Sequence, residues 1–266
     1  MLLAELWCGD APLIVDVPHA GTHVPDAIRL RLSPAARALP DTDWHVDKLY
    51  AFARSTGATV MVATHSRYVV DLNRDPHGVA LYPGADNTEL CPTRTFANAP
   101  LYAPGDEPQA SEIAARRAVF FAPYHAMLAD QIERVRARHG YVVLLDAHSI
   151  ESQVPRFFAG RLPDLNLGTA QGASCAPEVA ALATGVIAAA PFSHVVDGRF
   201  KGGYVTRCYG QPARNVHALQ LEMTQSSYME EGPPYAFDAA RAERLARVLE
   251  RLVVTLAEWR PSGRGS

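Results

Sequence analysis

Four apolar runs of strand length in this chain each hand over to a polar residue at their carboxyl end. Leu13 to Val17 is followed by Pro18 and His19, Tyr68 to Leu72 by Asn73-Arg74, Tyr141 to Leu145 by Asp146-Ala147-His148-Ser149, and His217 to Leu221 by Glu222. Runs this continuous fit strands covered on both faces. Ala58 to Ala63 reads as a further strand, and His194 to Val196 and Tyr204 to Arg207 as two short ones. Helical signals alternate with them. Asp41-Thr42-Asp43 precedes Trp44, Val46, Leu49, Tyr50 and Phe52, with Gly57 after the last turn, so Thr42 or Asp43 is the expected N-cap. A long helical stretch opens at Pro108 and ends near His139, before Gly140, and Pro123 should kink or divide it. Ala176 to Ala190 is helical up to Pro191, and Phe237 to Glu258 closes the chain with Leu245, Val248, Leu249, Leu252, Val253 and Leu256 on one face. Glu151 to Cys175 shows only short strand-like pieces.

This order predicts an α/β three-layer sandwich with a mixed, largely parallel sheet, formed as one domain over residues 1–266 and ending in a frayed tail from Pro261 to Ser266. In open α/β sheets ligands bind beyond the carboxyl ends of the strands, so the four polar exits point to one pocket. Asp75 to Asp106 is rich in Pro, Gly, Asn and Asp and has no apolar period; a connection of that length is expected to form a lid or a pocket wall.

Composition narrows the partners. A formal charge of −3, from 25 basic and 28 acidic residues, gives no footprint for nucleic acid or an anionic membrane, and no apolar run reaches membrane-spanning length. Cys8, Cys91, Cys175 and Cys208 are dispersed and no basic-then-apolar leader opens the chain. A cytoplasmic protein with a small-molecule partner is expected, its oligomeric state left open.

The exits carry the chemistry of metal-assisted hydrolysis. A hydrolytic zinc site takes three protein ligands and keeps one position open. His19 and His148 supply two. Gly21 and Pro25 argue against a helical His19/His23 pair, so the third ligand is sought at the helix start, Asp43, with Asp47 one turn further on as the alternative. Asp146, two residues before His148, is placed to steer its imidazole. Glu222 ends an apolar strand, where poor solvation raises a carboxyl pKa and suits it to shuttle a proton from water to a leaving amine. Arg67, Arg74 and Arg207 offer charge-assisted donors to substrate carboxylates, and Asn73 a donor to a carbonyl oxygen.

Taken together, Val17-Pro18-His19-Ala20-Gly21, Asp43-Trp44-His45-Val46-Asp47-Lys48-Leu49, Arg67 through Arg74, Asp146-Ala147-His148-Ser149, Lys201-Gly202-Gly203-Tyr204-Val205-Thr206-Arg207 and Leu219-Gln220-Leu221-Glu222-Met223 resemble the N-formylglutamate amidohydrolases, deformylases of histidine degradation. That family is in turn distantly similar to zinc carboxypeptidases and aspartoacylase-type deacylases, in which an Asn-Arg pair, a later His ligand and a late catalytic Glu recur in this order. The resemblance implies a phosphorylase/hydrolase-like fold and one divalent metal, zinc, held by His19, Asp43 and His148. It also implies Glu222 as the catalytic group, and Arg67, Asn73, Arg74, Tyr204 and Arg207 around a dianionic substrate, N-formyl-L-glutamate. Two departures stand out: Thr22 occupies the place of the glutamate in the distant relatives' H-x-x-E motif, and Cys208 stands where close relatives have His. The alternatives are a deacylase on another N-acyl or N-formimino amino acid, and a binding protein that performs no chemistry.

Overall fold

A computed structural model describes residues 2–261. Seven strands form one sheet: β1 Ala4–Trp7, β2 Leu13–Val17, β3 Thr59–Ala63, β4 Val142–Ile150, β5 Leu165–Gly168, β6 His194–Val196 and β7 Val216–Thr224. Their spatial order is β1-β3-β2-β4-β7-β5-β6. The central strands β3, β2, β4 and β7 are mutually parallel, and the sheet is mixed because β1 runs antiparallel to β3 and β5 antiparallel to β7. The helices are α1 Asp26–Arg29, α2 Pro34–Arg37, α3 Val46–Leu49, α4 Ala110–Arg116, α5 Ala122–His139, α6 Pro177–Ala188, α7 Tyr204–Tyr209 and α8 Ala239–Glu258. The expected tail lies outside the described residues apart from Pro261, and among the described residues no helix is long and apolar enough to cross a membrane.

The two faces of the sheet are apolar for different lengths, and this creates the site. On one face Val15, Val143, Leu145, Ala147, Leu219 and Leu221 stay apolar to the strand ends and pack under α6 and α8. On the other, Ile14, Val142, Leu144 and Ala218 pack under α5 with Tyr124 and Leu128. Because side chains alternate, the next residues on that second face are Asp16, Asp146 and Gln220, which pair in register across β2, β4 and β7. One step further stand His148 and Glu222, also directly paired. The polarity therefore begins at Asp16, still under α5 through Tyr124, and continues toward the strand ends.

Several expected elements take another form. Tyr68 to Leu72 is buried as its apolarity implies, but it forms turns and not a strand. The Ser66 hydroxyl accepts from Tyr68 N at 3.2 Å and the Asp71 carboxylate from Asn73 N at 2.9 Å, so side chains capture amides that a ladder would need. Tyr204 to Arg207 is helical in α7, whose Val205 N–H is capped by Asn73 Oδ1 at 2.7 Å. The segment after Asp43 is the single turn α3 followed by a 3-10 stretch, Ala51–Thr56, with neither Thr42 nor Asp43 as its N-cap. Pro123 does divide the long helix: without an N–H to donate, it follows a wide π turn, Arg117–Phe121, between α4 and α5. The short elements β1, α1 and α2 carry too little periodicity to be read in advance.

Asp16 is fully buried and accepts from Tyr124 Oη at 2.5 Å, while its Oδ2 has no partner. Burial, with the neighbouring Asp146 carboxylate, pushes its pKa up to about 8. A carboxyl raised in the folded state contributes stability that is complete below its unfolded pKa and is lost as pH rises through the folded one. Asp16→Asn should therefore gain stability relative to the parent between about pH 4 and pH 8, with a limiting slope of about 1.4 kcal/mol per pH unit. Urea titrations across that range give the comparison; parallel stability curves would show Asp16 to be ionised in the fold.

Candidate active site

The carboxyl-terminal ends of β2, β4 and β7 converge on a cleft lined by His19, Asp43, Arg67, Asn73, Arg74, His148, Gln220 and Glu222. His19 leaves β2 on a bend that Gly21 makes possible: a Cβ there would stand 2.5 Å from backbone atoms of Thr64 and His65. His19, Asp43 and His148 are all buried, and one ligand atom from each falls within a 4.8 Å group. Asp47, the alternative third ligand, is exposed on α3, outside this group.

Each histidine turns one nitrogen to this group and the other to a carboxylate. His19 Nε2 donates to Asp71 Oδ1 at 2.8 Å, leaving Nδ1 3.9 Å from Asp43 Oδ2. His148 Nε2 lies 2.7 Å from Asp146 Oδ1 and Nδ1 lies 3.0 Å from Asp43 Oδ2. A carboxylate behind each imidazole is the arrangement that orients metal-bound histidines. Asp146 was anticipated in that role. Asp71 was not, although it sits two residues before Asn73 in a segment already singled out.

Positive charge from the protein occupies the centre of the group. The Arg67 guanidinium donates to His19 Nδ1 and lies 3.7 Å from Asp71 Oδ2. Burial, and then Arg67, lower the His19 pKa to about 4, so this imidazole is neutral at pH 7. His148 differs: burial opposes its charge, but the Asp146 and Asp43 carboxylates outweigh it and hold the imidazolium well above the ordinary histidine range. Asp71 is likewise held well below the carboxylate range against its burial by Arg74, His19 and Arg67. Within this group Asp43 Oδ1, Asp71 Oδ2 and Arg67 Nε are buried without hydrogen-bond partners. Two imidazoles backed by carboxylates, with an unpartnered carboxylate oxygen, form a donor set that fits a divalent ion such as zinc. Binding one would require His148 to lose its Nδ1 proton.

Glu222 is buried beside this group at the β7 position paired with His148. Burial is the main cause that raises its pKa to about 7, and the Asp43 charge adds to it. Its Oε2 accepts from Gln220 Nε2 at 2.9 Å, and Gln220 Oε1 accepts from Gly203 N at 2.6 Å. Asn73 is committed internally: Nδ2 donates to Asp146 Oδ2 at 3.0 Å and lies 2.8 Å from His148 Nε2, while Oδ1 caps α7. Arg74 is half-buried, tied to Thr88 Oγ1 and to the Asn73 carbonyl. The 75–106 connection forms a wall of the cleft through Leu81, Tyr82, Asp86, Asn87, Thr88 and Phe96.

Tyr204 and Arg207 do not line the cleft. Tyr204 packs against Phe121 and His125, and Arg207 is exposed, donating to Gly202 O and lying 5.4 Å from the Tyr82 ring centroid. His125 and His217 are structural, the first bonded to Leu72 O and Tyr209 Oη, the second accepting from Ala176 N. Gln220 and Arg199, which do line the cleft, were missed. Gln220 had a signal, standing two residues before Glu222 on the same strand face. Arg199 had none, because it lies in a short irregular segment between β6 and α7.

Residues 11–229 match the family of N-formylglutamate amidohydrolases. The chain belongs to that family. Among relatives, the N-formylglutamate deformylase of Pseudomonas aeruginosa is 48% identical over 252 residues, covering 94% of each chain, and that of Pseudomonas putida is 46% identical over the same share. The crystal structure of an N-formylglutamate amidohydrolase from Ralstonia eutropha JMP134 superposes with a TM-score of 0.82 at 27% identity, covering 97% of this chain and 98% of that one. A protein of Agrobacterium tumefaciens shares the fold at 16% identity, with a TM-score of 0.72 over 94% of this chain and 93% of its own. The expected α/β architecture with its mixed seven-stranded sheet is thus that of the N-formylglutamate amidohydrolase family.

A Cβ on Gly203 would come within 2.4 to 2.5 Å of the Asn73 amide, which is held on both sides and cannot retreat. Gly203→Ala should displace Asn73 and loosen Gln220, destabilising the fold by about 1–3 kcal/mol and lowering kcat on whatever amide the enzyme hydrolyses. An unchanged urea midpoint together with unchanged kcat would show that the contact relaxes freely.

Proposed function

We propose that the chain hydrolyses N-formyl-L-glutamate to L-glutamate and formate with the help of one divalent metal ion, zinc in the first instance, as a step of histidine degradation in the cytoplasm. The observation that carries this reading is the buried His19, Asp43 and His148 group with Glu222 on the neighbouring strand, in a family whose relatives are named for that substrate. The residues that would hold the ion are His19 and His148 through Nδ1 and Asp43 through a carboxylate oxygen. When bound, the ion supplies a local positive charge that polarises the formyl carbonyl and acidifies water.

The chain's own residues do the rest. Glu222, with a pKa near neutrality, takes a proton from the attacking water as the new C–O bond forms, and delivers it to the amide nitrogen as the C–N bond breaks. Gln220 holds Glu222 in place through the Gly203 amide. Asp71 and Asp146 fix the two imidazoles. Arg67, whose Nε has no partner, offers a donor to the oxyanion that develops on the carbonyl oxygen. Asn73 acts by clamping Asp146 and α7, and Arg74 presents charge to a substrate carboxylate. Arg207 contributes only through its contact with the Tyr82 wall, and Tyr204 only through its packing on Phe121 and His125.

The deciding measurement is turnover of N-formyl-L-glutamate by protein loaded with zinc and by protein stripped with a chelator. Activity is expected to vanish on stripping and return with the ion; full activity in the stripped protein would remove the metal from the reading. Glu222→Gln should retain the metal and lose kcat by about 10²–10⁴-fold, and near-parental kcat would remove Glu222 from its role. His148→Ala should lose the metal as well as activity, which elemental analysis distinguishes from the Glu222 variant.

A further inference from the structure

The cleft holds one arginine whose charge is assigned to nothing. Arg67 is engaged with Asp71 and His19. Arg74 exerts the largest opposite-charge influence on Asp71. Arg199 is half-buried in the same cleft and, among the described residues, no carboxylate lies within ion-pair distance of it. Its surroundings are aromatic: the guanidinium carbon lies 4.8 Å from the Tyr82 ring centroid, 5.3 Å from that of Phe200 and 5.8 Å from that of Phe157. Nε donates to the Phe157 carbonyl at 2.7 Å, which sets the plane of the group, while neither terminal nitrogen has a hydrogen-bond partner among the described residues.

A guanidinium held by one nitrogen between aromatic rings, with its terminal nitrogens left over, has the form of a carboxylate receptor. Holding the side chain in place in the free protein removes the ordering cost at binding, and the rings exclude water, which strengthens the ion pair that forms. Burial already lowers the proton affinity of Arg199, the sign of a cation that lacks a counter-charge. An anion supplied by the substrate would complete it.

We propose that Arg199 is the specificity residue for the side-chain carboxylate of the substrate, so that this cleft selects N-acyl amino acids with an acidic side chain over their neutral isosteres. The inference rests on the proposed deformylase reading for the reaction, but the recognition itself is separable from it. Arg199 touches no reacting atom in this assignment. Its loss should therefore raise KM with little change in kcat, unlike the loss of Glu222.

The test compares the parent with Arg199→Met and Arg199→Lys on N-formyl-L-glutamate and on N-formyl-L-glutamine, which differ only in the distal group. The parent is expected to favour the glutamate compound. Arg199→Met should lower kcat/KM on it by about 10–100-fold, the worth of a charge-assisted hydrogen-bonded pair, and leave the glutamine compound unchanged. Arg199→Lys should recover only part, because a point charge lacks the planar fork. Equal losses on both compounds, or an undiminished preference in Arg199→Met, would overturn the proposal. Calorimetric titration of the zinc-loaded protein with L-glutamate and L-glutamine keeps the two readings apart. If the parent fails to hydrolyse N-formyl-L-glutamate yet binds glutamate more tightly through Arg199, the reaction is misassigned and the carboxylate site stands. If the parent turns over and Arg199→Met keeps its preference for glutamate in both assays, the reaction stands and the site falls.

Discussion

Burying a cluster of carboxylates at the end of a parallel sheet is the constraint from which the rest of the structure follows. Asp43, Asp71, Asp146 and Glu222 are all removed from water within one cleft, where an unpaired charge costs several kcal/mol. The fold answers with the His148 imidazolium between Asp43 and Asp146 and with Arg67 across His19 and Asp71. Each cation is shared; Asp43, Asp71 and Asp146 each engage an imidazole in return, and Glu222 is held by Gln220. In a site balanced in this way a metal ion would take the place of cations already there, because the proton between His148 and Asp43 and the guanidinium on His19 Nδ1 both stand on nitrogens that it would claim. Metal binding is then an exchange of positive charges, and it inherits the pH dependence of the proton it displaces.

This balance holds only if the ends of strands, turns and loops stay in register, and Asn73 is the residue that joins them. It reaches Asp146 on β4, lies against His148 and caps α7, and the same amide rests on Gly203, whose N–H holds Gln220 and through it Glu222. The departure from strand geometry at Tyr68 to Leu72 is part of the same device. A regular strand would carry Asp71 and Asn73 on one face and commit their amides to a ladder, whereas the Ser66 and Asp71 turns bring Arg67, Asp71 and Asn73 round the two histidines together.

How far the chain could be read in advance follows from this division. The central strands were legible because full burial writes itself as an apolar run, and β2 hands over to His19 as expected. By contrast, β4 and β7 run on past the expected ends and carry His148 and Glu222 within the ladder, which continues to Ile150 and Thr224. Asp43 was reachable by its position at the end of the Asp41-Thr42-Asp43 run, although the helix expected there shrinks to one turn. Tyr204 to Arg207 was misread as a strand because a cap supplied from residue 73 has no local trace. That error also sent Tyr204 and Arg207 toward a cleft they do not line.

The roles proposed for catalysis and for selection fall on different parts of the chain. The groups assigned to bond-making come from strand ends and the turns packed on them, where neighbours on both sides fix each rotamer to the precision that proton transfer requires. The wall that faces the distal part of the cleft comes from the 75–106 connection and the segment before α7, through Tyr82, Phe157, Arg199 and Phe200. Loops tolerate substitution better than the sheet they hang from. A change of substrate within this fold would fall first on Tyr82, Phe157, Arg199 and Phe200, because the side chains of Asp71, Asp146 and Asn73 hold the two histidines without bonding any of these four.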